Sequence, residues 1–338
     1  MKEAVKTTAP AAKAPVDKRV KRDLRLYHLK RGLPKVVYSI FRAVFLICMA
    51  YVLLSPILIM LSRSLRTSAD MLNPSIVWIP STFTLENFGV AYELMDYGNT
   101  LLLTGRIVLV TTVLTLISCS MAGYALGRYN LKISKLCMVV AVFTIGVPIQ
   151  TYIIPYFFQF RFFSFFGILN VVEWITGNSD VYLHLNNTEL TYYLPAALGA
   201  GLRSGLFVIV FMQFFKGLPK ELEDAARVDG CSEARTFIQV MLPNAGSAFL
   251  VVSLFSIVWY WNDYYFAQTM MQSQQLMSTK IGTIRTLVRN MSGSWGDGYS
   301  ETVYVYAAAL LFILPPLILY IIVQRFFIQS IERTGIVG

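Results

Sequence analysis

Residues 216–230 read KGLPKELEDAARVDG, and this polar stretch continues to Leu242-Pro243. It lies between two long apolar runs and is the only dense patch of mixed charge in the hydrophobic part of the chain. A membrane protein would place such a segment in a loop between two spans. Its residue pattern, however, predicts folded structure rather than an irregular connection.

The first half of the stretch has the signals of a short helix. Pro219 suits the first turn, where a missing N–H leaves no hydrogen bond unmade. Glu221, Glu223 and Asp224 follow in the first turns, where the helix dipole favours negative charge. Gly230 is placed to end this helix in a left-handed cap.

A second short helix is predicted after a tight turn. Ser232 is a suitable N-cap for a helix from Glu233 to about Met241, and Pro243 limits its extension. The first helix also has a small apolar stripe, formed by Leu218, Leu222, Ala225 and Ala226. Alanines in such a stripe allow close approach to a partner. The alternative is an ordinary solvated loop with chance helicity.

The composition indicates a membrane protein. Of 338 residues, 56% are hydrophobic and only 14% are charged, and the mean hydropathy is +0.57. A soluble domain averages about 25% charged residues. The four cysteines have neither metal-ligand nor redox spacing, and the two histidines are far apart, so no metal site is expected.

Six apolar runs have the length of about 20 residues that crosses a bilayer. We place them near 38–62, 101–125, 136–158, 193–215, 246–270 and 303–327. The sequence therefore predicts an all-α integral membrane protein with a six-span domain at 36–330. Residues 1–35 are a basic tail, expected to be mostly disordered, and residues 331–338 form a C-terminal tail. The end of the basic tail, residues 19–35, suits a basic helix on anionic lipid.

Charge asymmetry sets the expected orientation. If the N-terminus is cytoplasmic, the cytoplasmic segments carry 20 lysines and arginines, counting the C-terminal end from Arg325, and the outside segments carry 6. By the positive-inside rule, both termini and residues 216–245 are then cytoplasmic. Topology thus accounts for the net charge of +10, and no nucleic-acid partner is expected. An acidic, hydrophilic insert at 178–191 falls outside.

Several kinds of chemistry are missing from the sequence. It has no G-x-x-x-x-G-K-[ST] loop for ATP phosphates, no H-E-x-x-H and no G-x-S-x-G. We therefore expect no catalytic residue, no metal and no cofactor bound by this chain. The pair Gly201-x-x-x-Gly205 fits close helix packing.

Polar and aromatic residues inside the predicted spans suggest a solute pathway. The candidates are Arg203, Trp259, Trp261, Asn262, Asp263 and Tyr264. Aromatic rings can stack on a sugar while an amide and a carboxylate bind its hydroxyls, and charges at membrane depth usually face a cavity or a partner. The alternatives are an interfacial aromatic belt and, for Arg203, a structural bond to a backbone carbonyl or to Asp263.

The polar stretch resembles the cytoplasmic signature of ABC-importer permeases, E-A-A-x3-G-x9-I-x-L-P. Here it reads Asp224-Ala225-Ala226, three residues, Gly230, nine residues, then Val240-x-Leu242-Pro243. Asp replaces Glu and Val replaces Ile, and the spacing is met throughout. The flanks are similar to carbohydrate-importer permeases of the six-span maltose type, in residues 214–222, in Trp261-Asn262-Asp263 and in the Tyr124–Arg128 stretch.

The resemblance implies a fold and a division of labour. It implies the type I importer permease fold, with coupling helices at about 218–243 that dock into a separate ATPase. The coupling residues carried over are Pro219, Glu221, Asp224, Ala225, Ala226, Asp229, Gly230, Leu242 and Pro243. Asp229 is expected to fix the turn by capping.

The implied partners are a second permease subunit, an ATPase dimer that binds ATP and Mg²⁺, an extracellular or periplasmic substrate-binding protein, and lipid. The implied location is the bacterial plasma membrane. Three alternatives remain: the same scaffold importing a peptide, phosphate or polyamine, a polytopic membrane enzyme using Asp263 and Arg203, and a stand-alone secondary transporter.

Overall fold

The computed structural model describes residues 18–76, 78–165, 167–177, 182–292 and 298–335. In these ranges every regular element is a helix, and the only bridges are isolated. The helices are α1 Lys18–Ser64, α2 Ser68–Leu72, α3 Glu86–Leu94, α4 Tyr97–Arg128, α5 Ser134–Gly146, α6 Ile149–Arg161, α7 Ile168–Thr176, α8 Leu190–Ala197, α9 Ser204–Gly217, α10 Glu221–Val228, α11 Glu233–Thr236, α12 Leu242–Asn244, α13 Gly246–Trp261, α14 Tyr265–Met270, α15 Met277–Ser292 and α16 Gly298–Gly335.

The described part of the chain divides into two compact units, one that ends at Ile59 and one that begins at Met60. The first unit contains most of α1, which begins at Lys18, inside the segment predicted to be a tail. Residues 1–17 lie outside the described residues. Because α1 passes through residue 35 and α16 passes through residue 330, both predicted domain boundaries fall within helices.

Three helical segments are long and apolar enough to cross a membrane: Val37–Ser64, Tyr97–Arg128 and Glu301–Phe326. Two bent pairs raise the number to five if each pair is one span, namely α5 with α6 and the Glu233–Asn244 stretch with α13. Helix α9 is apolar but shorter. The described helices therefore supply three to five candidate spans, against the six predicted from hydropathy.

The third predicted span is broken in its middle. Helices α5 and α6 meet at 105°, and the break falls at Val147-Pro148. Proline has no N–H for the helix ladder, and it pushes the residue before it into extended backbone. Val147 has that conformation, with φ −79° and ψ 116°.

The fourth predicted span is also two helices. Helix α8 ends at Ala197, and α9 begins only at Ser204. Between them Gly199 and Arg203 have left-handed backbone, with φ of 69° and 59°. The Tyr260 hydroxyl accepts a hydrogen bond from the Leu202 N–H at 3.1 Å, which satisfies one backbone group at the break.

The fifth predicted span ends early. Helix α13 stops at Trp261, and α14 starts at Tyr265. The carboxylate of Asp263 accepts a hydrogen bond from the Phe266 N–H at 3.2 Å, which caps the new helix.

Helix α4 packs closely against α9 through two glycines. A Cβ added to Gly123 would lie 2.5 Å from Cβ of Phe211, and one added to Gly127 would lie 2.8 Å from the Met212 carbonyl oxygen. Of the predicted small pair, Gly205 packs against Ala141 of α5, but Gly201 precedes α9 and faces Tyr260. At Gly123 and Gly127 the backbone of α4 therefore lies directly against the backbone of α9.

Candidate functional site

The polar stretch forms two helical segments joined by a tight turn. Helix α10 is followed by Gly230 at φ 77°, in the left-handed region predicted for it. The Ser232 side chain accepts from the Arg235 N–H at 3.4 Å and so caps α11. The second segment continues as a π-helical turn, Phe237–Met241, and through α12 to Asn244, beyond the predicted end at Met241.

The surface of the helix pair is mostly exposed. Ala226 is buried and Leu242 is half-buried. The other residues carried over from the signature are exposed: Pro219, Glu221, Asp224, Ala225, Asp229, Gly230 and Pro243. Beside them Val228 is an apolar side chain with 88% exposure. The pair thus presents a small mixed surface of apolar, acidic and glycine positions to a partner.

The buried face of α10 differs from the predicted stripe. Ala225 is exposed, and Glu223 is buried in its place. Glu223 accepts an ion-pair hydrogen bond from Nε of Arg128 at 2.9 Å, and the two side chains are only 8% and 5% exposed. A buried charge without this partner would be strongly unfavourable, so the pair fixes α10 to the end of α4.

Arg128 also holds the residues that lead into α10. Its guanidinium donates to the carbonyl of Leu218 at 2.9 Å and to that of Pro219 at 3.1 Å. Sequence reasoning quoted Arg128 only as part of a family resemblance and missed this role. The sequence does show an arginine at the last turn of α4, but its partner Glu223 lies 95 positions away along the chain.

A second contact with the end of α4 holds α11. Tyr129 donates its hydroxyl hydrogen to Glu233 at 2.8 Å, and Nε of Arg227 donates to the other carboxylate oxygen at 3.2 Å. The hydrogen bonds from Tyr129 and Arg227 lower the pKa of Glu233. Desolvation, followed by the bond to Glu233, raises the pKa of Tyr129.

The turn does not depend on a side-chain cap from Asp229. This residue ends α10, and its backbone N–H donates to the Ala225 carbonyl at 3.0 Å. Within the described part of the chain its carboxylate makes no hydrogen bond, so the expected capping by Asp229 is absent. The left-handed Gly230 provides the turn instead.

The six residues predicted to line a solute pathway do not form one site. Arg203 donates to the Ile145 carbonyl at 3.0 Å, and its guanidinium lies 5.7 Å from the ring centre of Trp259. Of the alternatives considered for Arg203, the structure therefore shows the backbone carbonyl rather than Asp263. Trp261 is buried and donates its indole N–H to the Phe312 carbonyl at 3.2 Å.

Two further members of the predicted group have local contacts. The side-chain amide of Asn262 donates to the Val258 carbonyl at 2.8 Å, one turn earlier. Tyr264 packs edge-on against Tyr265, and its ring lies close enough to Gly282 that a Cβ there would be 2.4 Å away. Neither residue reaches the carboxylate of Asp263.

Asp263 belongs to a different cluster, which the sequence did not reveal. A small cleft of about 40 Å³ is lined by Asp263, Tyr152, Tyr156, Tyr192 and Tyr260, together with small and apolar neighbours. The Tyr192 hydroxyl donates to the Asp263 carboxylate at 3.0 Å. These side chains come from α6, α8, α13 and the α13–α14 connection, so no short sequence pattern could have grouped them. Rings beside a carboxylate suit a polyhydroxylated ligand.

No group of three or more potential metal ligands occurs among the residues that the structure describes.

The predicted acidic insert packs against the rest of the protein. Nearby, Arg106 in the first half of α4 forms an ion pair with Glu189. Asn187, from the predicted outer insert, donates its backbone N–H to the Met270 carbonyl at 2.7 Å and accepts from Ser273 at 2.9 Å. The described part of the insert is therefore packed structure, and residues 178–181 of it lie outside the described residues.

Comparison with known families decides the assignment. Residues 119–333 match the family model described as "Binding-protein-dependent transport system inner membrane component". The chain belongs to this family. The match includes the whole polar helix pair and its anchor Arg128, and it confirms the resemblance to importer permeases. The family consists of transport components, so this permease is not an enzyme.

The relatives of the permease are similar over most of their length. The arabinooligosaccharides transport system permease protein AraQ of Halalkalibacterium halodurans is 27% identical over 296 residues, which is 86% of this chain and 93% of that protein. The melibiose/raffinose/stachyose import permease protein MelC of Bacillus subtilis is 27% identical over 84% of this chain and 91% of that protein. The lactose transport system permease protein LacG of Rhizobium radiobacter is 25% identical, over 89% of this chain and 96% of that protein.

A solved structure shows the fold of the permease. A chain from the crystal structure of a bacterial ABC transporter involved in the import of the acidic polysaccharide alginate aligns with a TM-score of 0.66 at 20% identity. The alignment covers 87% of this chain and 98% of that one. The all-helical type I permease fold is thus confirmed.

Proposed function

We propose that the chain is one permease subunit of an ATP-driven importer for a sugar or oligosaccharide in the bacterial plasma membrane. The observation that carries the solute class is the agreement among relatives, whose names specify arabinooligosaccharides, melibiose, raffinose, stachyose and lactose. In this proposal six spans cross the membrane and both termini are cytoplasmic, because 20 of the lysines and arginines then fall inside and 6 outside.

Three partners complete the proposed system. A second permease subunit supplies the other half of the pathway, an ATPase dimer binds ATP and Mg²⁺, and an extracellular or periplasmic binding protein delivers the solute. The family's description as a binding-protein-dependent inner membrane component supports this assembly. Lipid surrounds the spans.

The helix pair is the proposed coupling element. The exposed residues at its tip, including Ala225, Val228 and Gly230, would enter a groove of the ATPase. Motion of the ATPase would then be transmitted to α4 through the Arg128–Glu223 ion pair and the Tyr129–Glu233 hydrogen bond. A helix pair fixed at both ends transmits displacement, whereas an irregular loop would absorb it.

We also propose that the cleft at Asp263 is part of the solute pathway. Its tyrosines offer ring faces and hydroxyls, and the Asp263 carboxylate offers acceptors for sugar hydroxyls.

A substitution at Asp263 tests this role. Asp263→Asn keeps the size of the side chain and an acceptor oxygen for the Phe266 N–H, but it removes the charge. We expect a raised KM for uptake with an unchanged melting temperature. Asn262→Ser, one residue away and outside the cleft, keeps a hydrogen-bond donor for the Val258 carbonyl. It is the control and should leave KM unchanged.

The solute class is tested by reconstituting the permease with its partners in liposomes. Uptake of isotopically labelled arabino-oligosaccharide, raffinose and lactose is compared with uptake of a peptide, phosphate and a polyamine, with and without ATP. We expect ATP-dependent uptake of at least one saccharide and none of the other solutes. Uptake of only a non-sugar solute would overturn the sugar assignment, and uptake without ATP or the ATPase would overturn the importer mechanism.

A further inference from the structure

A polar pocket lies beside α10, where the ends of α4 and α9 meet the start of α5. Its volume is about 580 Å³, and its lining includes Lys135, Lys216, Lys220, Asn130 and Ser134. Arg128 and Glu223 lie at its wall as well. The pocket is therefore formed by the same helix ends that hold the polar helix pair.

The pocket carries a net positive charge. The charges of Arg128 and Glu223 neutralise each other in their 2.9 Å ion pair. The three lysines are exposed, and within the part of the chain that the structure describes none of them forms an ion pair with a carboxylate. Three positive charges around one concave surface attract an anion with several oxygen acceptors.

An apolar groove continues from this pocket between α5 and α9. Its volume is about 670 Å³, and it is lined mainly by apolar side chains, among them Leu136, Val140, Phe143 and Val208. Leu126 lines both the polar pocket and the groove, so the two adjoin there, and the groove also shares Tyr152, Ala200 and Gly201 with the cleft at Asp263. Leu136 is 61% exposed and Phe143 is 70% exposed. A single ligand that occupied both would need an anionic head and an apolar chain.

We propose that the pocket and groove bind one anionic phospholipid. Lys135, Lys216 and Lys220 would hold the phosphate of the headgroup, and an acyl chain would lie along Leu136 and Phe143. Basic pockets between helices on the cytoplasmic side suit such headgroups. This inference rests on the proposed orientation, which places α10 and these lysines on the cytoplasmic side.

The site has a direct connection to coupling. Lys220 is the residue that precedes α10, and the Arg128 guanidinium holds the carbonyl of the neighbouring Pro219. A headgroup bound to Lys220 would therefore lie against the first turn of α10. Anionic lipid would stabilise the helix pair in its anchored position and so make coupling dependent on lipid composition.

The test uses the full transporter complex, purified and placed in nanodiscs of zwitterionic phosphatidylcholine with increasing phosphatidylglycerol. Native mass spectrometry counts the phosphatidylglycerol molecules that each complex retains. The test variant is Lys135→Gln/Lys216→Gln/Lys220→Gln. The control is Lys132→Gln, which removes an exposed lysine three positions before Lys135 that does not line the pocket.

We expect the triple variant to retain one phosphatidylglycerol fewer per copy of this chain, while Lys132→Gln retains the wild-type number. Each lysine near an anionic surface contributes about fivefold to affinity, so the site should bind about a hundredfold more weakly in the triple variant. Leu136→Ser should also lower retention, because it removes contact with the acyl chain while every lysine stays in place.

Three results would overturn the proposal. The triple variant could retain the wild-type number of lipids. Inorganic phosphate at 10-fold excess over the lipid could displace it completely, which would show a site for free phosphate alone. The triple variant could fail to bind the ATPase subunits while it retained the wild-type number of lipids, which would assign the lysines to a protein partner. Lipid retention is read without transport, so its failure is distinguishable from failure of sugar uptake.

Discussion

The sequence indicated two candidate functional regions, the helix pair at residues 216–244 and the aromatic group at residues 259–264. The two regions differ in the structure. The helix pair forms one compact element tied to α4 by a buried ion pair and a tyrosine hydrogen bond. The aromatic group is divided among three surroundings: Trp259 with Arg203, Trp261 with Phe312, and Asp263 with Tyr192. In the helix pair, residues that are neighbours in sequence belong to one compact element, because its helices are short and capped. In the aromatic group they have different surroundings, because α13 ends at Trp261 within the group.

The largest expected effect comes from breaking the anchor of the helix pair. Arg128→Met leaves the buried Glu223 without its partner, which costs about 3–5 kcal/mol. We expect a clear fall in the melting temperature of the purified complex and loss of ATP-driven uptake. The double variant Arg128→Met/Glu223→Leu should recover part of the melting temperature, because it leaves no uncompensated charge.

The exposed ion pair Arg289–Glu301 provides a control for this prediction, since Arg289 lies outside the candidate spans and its side chain is 69% exposed. Exposed pairs contribute about 0–1 kcal/mol, so Arg289→Met should change the melting temperature little. If Arg289→Met and Arg128→Met had the same effect, the buried pair would not be the anchor that we describe.

The next effect concerns the contact that supports the anchor. Gly123→Ala places a Cβ 2.5 Å from Cβ of Phe211 and 2.8 Å from the Met212 nitrogen, so α4 and α9 must separate. Overpacking of this kind costs about 1–3 kcal/mol. Gly105 is on the same helix with nothing within 4 Å of its added Cβ. We expect Gly123→Ala to lower the melting temperature and Gly105→Ala to leave it unchanged or raise it; the opposite order would contradict the packing.

A smaller effect is expected at the cap of the second helix. Ser232→Ala removes the acceptor for the Arg235 N–H, and such losses cost about 1 kcal/mol. Ser232→Asp keeps an acceptor and adds a charge that the helix dipole favours. Uptake in the assembled complex should fall modestly with alanine and stay near wild type with aspartate. Equal uptake by all three proteins would show that this cap does not contribute to coupling.

The smallest effect is a pH dependence at Glu233. The folded-state pKa of Glu233 lies below the usual glutamate value of 4.5, because the hydrogen bonds from Tyr129 and Arg227 stabilise the carboxylate. A lowered folded pKa means that the contribution to stability is present above the unfolded pKa and is lost as pH falls through the folded value. The melting-temperature difference between wild type and Glu233→Gln should therefore shrink as pH falls from 7 to below 4.5. A difference that stays constant would rule out this contribution.

The sequence predicted the helix pair because its signals act over a few residues. Gly230 and Ser232 each restrict the backbone next to them and have the predicted left-handed turn and N-cap position, whereas Pro219 lies two residues before the start of α10 at Glu221 and not in its first turn. The type I permease fold also followed from the spacing of the signature. The anchor could not be predicted, because Arg128 meets Glu223 only after α4 and α9 pack through Gly123 and Gly127.

The breaks within the apolar runs were missed for a different reason. A hydropathy average over about 20 residues does not respond to one backbone change. Pro148 was visible and marks the 105° bend, but prolines are also tolerated inside membrane helices. The left-handed Arg203 and the early end of α13 at Trp261 had no such signal. The cleft at Asp263 depends on these breaks, and so it was beyond the reach of the sequence.

The central claim is that the rigid turn at Gly230 couples this permease to its ATPase. Gly230 has φ 77° and open space around an added Cβ, so a substitution acts through the backbone alone. A β-branched residue strains this conformation, whereas asparagine tolerates it. The decisive measurement is ATP-driven sugar uptake by the assembled complex in liposomes, with wild type, Gly230→Val and Gly230→Asn compared at equal protein. We expect loss of uptake with valine and near-normal uptake with asparagine. Wild-type uptake with Gly230→Val would contradict the coupling role of this turn.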